Sequence, residues 1–104
     1  MEFIEAIGFS RHREDYLNDT QFNLLQLYLM NNPDAGDVIR GSGGVRKLRW
    51  GLPGQGKRGG LRVIYYWITK DQQILFLTLY RKTEATDLSS EAIKEMRRLV
   101  KSFE

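Results

Sequence analysis

Eight cations, Arg40, Arg46, Lys47, Arg49, Lys57, Arg58, Arg62 and Lys70, fall between Asp37 and Asp71 with no acidic residue among them. The net charge of the whole chain is only +3, so the basic character is concentrated there. A one-signed block of this kind marks a site for polyanions, nucleic acid foremost; a merely solvated basic surface is the competing reading. The chain has no cysteine and one histidine, His12. That removes disulfides, thiol nucleophiles and histidine-pair nuclease chemistry, and it leaves a zinc site short of its usual ligands. Charge developing on a phosphate would have to be met by lysine and arginine.

Spacing refines the block. Val45–Trp50 alternates apolar and cationic residues. In a strand, the i, i+2 spacing of Lys47 and Arg49 sets both on one face. Trp50, Tyr65, Tyr66, Trp67 and Tyr80 are candidates for base stacking, although aromatics at strand spacing are mostly core. Tyr80 is the first choice, because Arg81 and Lys82 follow it. Gly51-Leu52-Pro53-Gly54-Gln55-Gly56-Lys57 begins like a phosphate-binding loop, but Arg58 stands where Ser or Thr is needed and a strand follows instead of a helix. The segment is read instead as a cationic flap, with a long hairpin loop as the plain alternative. His12, among Arg11, Arg13, Glu14 and Asp15, is read as a surface residue.

These residues need a scaffold. Phe3–Ile7 is a short strand, and polar Ser10–Asn18 reads as one exposed helix. Asp19 or Thr20 caps a second helix whose stripe is Phe22, Leu25 and Leu29, with Leu24 and Tyr28, and Asn31-Asn32-Pro33 ends it. Glycine-rich Gly51–Gly60 is expected to be a mobile loop. Leu61–Ile68 and Gln73–Arg81 are strands around a tight turn at Thr69-Lys70-Asp71-Gln72. Ser89 caps a last helix with an apolar face of Ala92, Ile93, Met96, Val100 and Phe103, opposite Lys94, Arg97, Arg98 and Lys101. The expected order is β-α-α-β-β-β-α: an α+β fold, with a small twisted, mainly antiparallel sheet, two N-terminal helices and one C-terminal helix.

At 104 residues, with 41% hydrophobic and 28% charged, the chain is expected to form a single globular domain, residues 1–104. Met1–Phe9 carries Glu2 and Glu5 and does not read as a signal peptide, and no segment has the apolar length of a membrane helix. A cytoplasmic location without membrane association is expected.

Three runs, taken in order and spacing, carry a resemblance. They are Gly43-Gly44-Val45-Arg46-Lys47-Leu48-Arg49, then Gly56-Lys57-Arg58-Gly59-Gly60-Leu61-Arg62-Val63-Ile64-Tyr65-Tyr66, then Leu77-Thr78-Leu79-Tyr80-Arg81-Lys82-Thr83-Glu84. Asp34–Ile39 and Thr86-Asp87-Leu88 add to it. Over nearly its whole length the chain resembles HigB-type toxins of the RelE/ParE superfamily, from type II toxin–antitoxin systems. The resemblance implies a RelE-like fold and a ribosome-dependent, metal-independent endoribonuclease that cuts mRNA by 2′-hydroxyl attack and so inhibits translation. It implies no cofactor, mRNA on the ribosome (16S rRNA in the 30S A site) as target, and a helix-turn-helix antitoxin of the HigA kind as partner.

Matched onto this chain, the family's site falls on Lys47, Arg49, Arg62 and Lys82. Arg62 is the phosphate stabiliser, Lys47 the candidate general base, and Lys82 the candidate acid for the leaving 5′-oxygen. Arg46, Lys57, Arg58, Tyr80 and Arg81 are the RNA-binding set. A lysine base starts from a reference pKa of about 10.4, and lowering that by three units costs roughly 4 kcal/mol, so a purely electrostatic Lys47 stays open. Two alternatives remain: a ParE-like, non-enzymatic inhibitor of DNA gyrase on the same fold, and an RNA-binding module without turnover.

Overall fold

The computed structural model describes residues 1–52, 56–84 and 88–103, and for residues 52 and 56–59 the backbone only. Its elements are β1 (Glu2–Glu5), α1 (Ile7–Ser10), α2 (Arg13–Tyr16), α3 (Asp19–Asn31), β2 (Asp37–Val38), β3 (Arg46–Leu52), β4 (Gly56–Ile68), β5 (Gln73–Arg81) and α4 (Ser90–Lys101). The strands form one sheet in the order β1-β5-β4-β3-β2. β1 runs parallel to β5, and every other pairing is antiparallel.

Strand alternation gives the sheet two apolar faces, and each is covered. On one face Leu48, Leu61, Val63, Tyr65, Ile74, Phe76 and Leu79 pack with Phe9, Leu17, Phe22, Leu25 and Leu29 of the N-terminal helical segment. The rings of Phe9 and Phe76 stack there at 4.6 Å. On the other face Val45, Ile64, Ile68, Leu75 and Leu77 meet Val100 of α4, with Met96 and Phe103 half-buried beside it.

A bulge decides which β5 residues look which way. Ile64 pairs with Thr78, but Tyr65 pairs with Phe76, so Leu77 is an extra residue on β5. Leu77 therefore belongs to the α4 face and Leu79 to the opposite one, although two residues separate them. Beyond the bulge, Tyr80 lands on the α4 side.

The α+β class, the mainly antiparallel sheet, the Ser89 cap (its side chain accepts from the Ala92 N–H) and the end of α3 at Asn31 agree with expectation. Four details differ. Ser10–Asn18 is not one helix: α1 and α2 are separate short turns, and the backbone extends at Leu17 so that this side chain enters the core, fully buried. Asn18, not Asp19 or Thr20, caps α3: its side chain accepts from the Gln21 N–H at 2.8 Å, and Gln21 returns the bond to the Asn18 N–H at 2.9 Å. Leu24 and Tyr28 stand outside the buried stripe of Phe22, Leu25 and Leu29. An unexpected strand, β2, pairs Asp37 with Lys47 and Val38 with Arg46.

The glycine-rich segment is also more ordered in plan than expected. β3 continues to Leu52, β4 begins at Gly56, and those two residues pair; residues 53–55 lie outside the described residues. Glycine allows the approach. A Cβ at Gly60 would fall 2.3 Å from the Trp50 carbonyl oxygen, which no side-chain-bearing residue tolerates unmoved.

Candidate RNA-cleaving face

The register across β3, β4 and β5 assembles the cations. Arg49 pairs with Arg62, and Arg62 pairs with Tyr80, so the three form one rung across three strands. Directly paired residues project to the same side with Cβ atoms about 5 Å apart. The next rung holds Lys47, Ile64 and Thr78, which places Lys47 diagonal to Arg62, roughly 7–8 Å away between Cα atoms. This is the face that α4 partly covers, and Ile64 and Tyr80 join the layer beneath it.

Each cation sits differently. Arg62 is 7% exposed, sunk between the strands, and donates to its neighbour's carbonyl, that of Leu61, at 3.3 Å. Arg49 is exposed and Lys47 half-buried. Like charges set directly opposite each other in a sheet destabilise it, and more so where one is desolvated. Arg49 against Arg62 is such a pair, and a bound anion would offset its cost. The pocket this suits is a phosphate cradle with Lys47 on its rim.

Lys82 is exposed in the turn that follows β5. That turn is clasped. The Tyr16 hydroxyl donates to the Glu84 carboxylate at 2.7 Å, and the same carboxylate accepts from the Arg81 backbone N–H at 2.9 Å. The Arg81 guanidinium lies 5.6 Å from the Tyr16 ring centre. The Tyr16 hydroxyl and the Arg81 amide hold the Glu84 carboxyl below its ordinary value; the same hydrogen bond, with some burial, raises the Tyr16 phenol. Sequence reasoning gave Tyr16 and Glu84 no role. They are 68 positions apart, and only folding brings them together.

Other sequence-expected residues are placed elsewhere. Arg46 points to the face opposite Lys47, where its guanidinium donates to the carbonyls of Asp34 at 3.1 Å and Gly36 at 2.8 Å. Arg81 is on that opposite face too, against Tyr16. Neither is brought to the Arg49–Arg62 rung. Tyr80 is on the rung but half-buried in the layer under α4. The side chains of Lys57 and Arg58 lie outside the described residues. Among the other aromatics, Tyr65 is fully buried and Trp50 packs on Tyr28 at 5.3 Å. His12 is exposed, 3.6 Å from Asp15. Among the described residues, no helix is long and apolar enough to cross a membrane.

A family model described as the RelE toxin of the RelE / RelB toxin–antitoxin system matches residues 9–104. The chain belongs to the RelE toxin family. Solved structures agree on the RelE fold. The isolated E. coli RelE toxin superposes with a TM-score of 0.57 at 14% identity, covering 94% of this chain and 97% of that one. A chain of the intact E. coli RelBE toxin–antitoxin complex gives 0.54 at 16% identity, covering 75% and 92% respectively.

Proposed function

We propose that this RelE-family chain is a HigB-type toxin: a ribosome-dependent endoribonuclease that cuts mRNA by internal attack of a ribose 2′-hydroxyl. The observation that carries this reading is the Arg49–Arg62 rung with Lys47 diagonal to it. In the proposed reaction the 2′-oxygen bonds to the adjacent phosphorus while its proton passes to a base, for which Lys47 is the candidate. Negative charge builds on the pentacoordinate phosphorus, and Arg62 and Arg49 meet it. A buried guanidinium is worth more here than an exposed one, because less water screens it. The bond to the 5′-oxygen then breaks, Lys82 supplies the proton to that oxygen, and a 2′,3′-cyclic phosphate remains. The Tyr16–Glu84 clasp holds the turn from which Lys82 would act. Membership of a toxin family supports a cytoplasmic antitoxin partner, for which a helix-turn-helix protein of the HigA kind is our proposal.

The test is brief induction in bacteria, followed by primer-extension mapping of mRNA 5′ ends for wild type, Arg62→Ala and Arg49→Ala. The second variant changes an exposed side chain and leaves the core intact. New ends inside translated frames that fade in both variants support the reading. Growth arrest with intact messages overturns it in favour of a protein target such as gyrase.

A further inference from the structure

The proposed mechanism leaves the outer face of α4 unused. Lys94, Arg97, Arg98 and Lys101 are all exposed and together line a shallow open depression of about 230 Å³. At 3.6 residues per turn the four fall within an arc of about 100°. Arg98 is tied to Glu95 on the same helix, whereas Lys94, Arg97 and Lys101 form the side of the arc away from that carboxylate. The connection into β3 lies alongside: a Cβ at Gly43 would meet Arg97 Cγ at 3.5 Å. From the chemistry of this stripe we infer that α4 is a second nucleic-acid contact, a dock for the phosphate backbone of double-helical RNA. The inference rests on the proposed reading only in taking RNA as the working partner.

Two observations choose this occupant. A membrane-surface helix must lay its apolar face into lipid. Here that face is engaged, with Val100 buried and Met96 and Phe103 packed on the sheet. What faces outward is charge without an apolar border of comparable size. The second observation is length. Lys94 to Lys101 rises roughly 10 Å along the helix, about the axial distance of three successive phosphates on one strand of a duplex. A rigid backbone offers that row preformed, whereas a flexible acidic peptide would have to be ordered to match it.

The experiment is fluorescence anisotropy with a short blunt RNA duplex across a potassium chloride series, comparing wild type with the triple variant Lys94→Gln, Arg97→Gln, Lys101→Gln. All three positions are exposed, and matched thermal melting checks that the fold is retained. With three phosphate contacts removed, the slope of log affinity against log salt becomes shallower by about 2–3. Affinity at low salt falls at least tenfold. Arg62→Ala is the control: it keeps duplex binding while losing mRNA cuts, so failure of cleavage and failure of docking are told apart. An unchanged slope and affinity in the triple variant overturns the inference. So does tighter binding, at equal salt, to anionic phosphatidylserine vesicles or to polyglutamate than to the duplex.

Discussion

Tyr65→Phe removes one oxygen and leaves the ring in place. That hydroxyl donates to the Pro33 carbonyl at 2.8 Å and accepts from the Gly36 N–H at 3.0 Å. Gly36 is buried, so its N–H loses its partner with little access to water, at a cost of about 1–3 kcal/mol. Pro33 is half-buried, and its carbonyl recovers hydration, so that bond adds only about 0.5 kcal/mol. The sum is about 2 kcal/mol, well inside the roughly 5–15 kcal/mol that holds a small domain together. A domain of this size loses about 4–8 °C of Tm per kcal/mol, so the midpoint should fall by roughly 10 °C. Burial also raises the Tyr65 phenol above its ordinary value of 10.0. Such a group's contribution is complete below the unfolded value and is lost as pH climbs through the higher folded one. The gap between wild type and variant should therefore narrow above pH 10. Thermal and urea unfolding followed by circular dichroism measure both effects. A Tm drop below about 2 °C at neutral pH, or a gap that widens in alkali, refutes the argument.

Gly60→Ala places a methyl against the Trp50 carbonyl and should destabilise by about 1–3 kcal/mol, read as a lower urea midpoint at unchanged m-value. Asn18→Ala removes the α3 capping box and should cost about 1 kcal/mol in the same assay, with Asn18→Asp restoring most of it. The Glu84 carboxyl is held below its ordinary value by Tyr16 and the Arg81 amide, so its contribution is present above that value and disappears as pH falls through the lower folded one. Wild-type Tm should therefore lose ground in acid, below about pH 4.5, relative to Glu84→Gln; parallel curves for the two would count against the clasp.

How much of this was legible in the sequence depends on which force decides each feature. The long periodic elements were, because burial dictates them: Phe22, Leu25 and Leu29 stripe α3, and β5 spans Gln73–Arg81 as its apolar pattern implies. The short ones were not. β2 has two residues, both exposed, and exists only because β3 offers an edge to pair with. Asn18 was missed as a cap because Asp19 and Thr20 beside it are equally good caps in isolation. The extended backbone at Leu17, drawn to the core, selects Asn18.

The candidate site divides along the same line. Lys47 and Arg49 share a face by strict alternation within one strand, which spacing alone reveals. Arg46, one residue earlier, follows the same rule to the other face, where it and the Tyr65 hydroxyl anchor the segment leading to β2. It belonged to the basic block by charge and leaves it by parity. For β5, parity misleads. Counting by twos from the buried Phe76 would set Tyr80 with Phe76 and away from Arg62; the extra residue at Leu77 reverses the phase and brings Tyr80 beside Arg62. A bulge is set by packing between neighbouring strands, so no local pattern in β5 announces it. The reversal also sends Arg81 to the far face, where it lies over Tyr16 while its backbone N–H meets Glu84. One inserted residue thus places the aromatic at the cation rung and seats the turn that presents Lys82, and deleting Leu77 should undo both together.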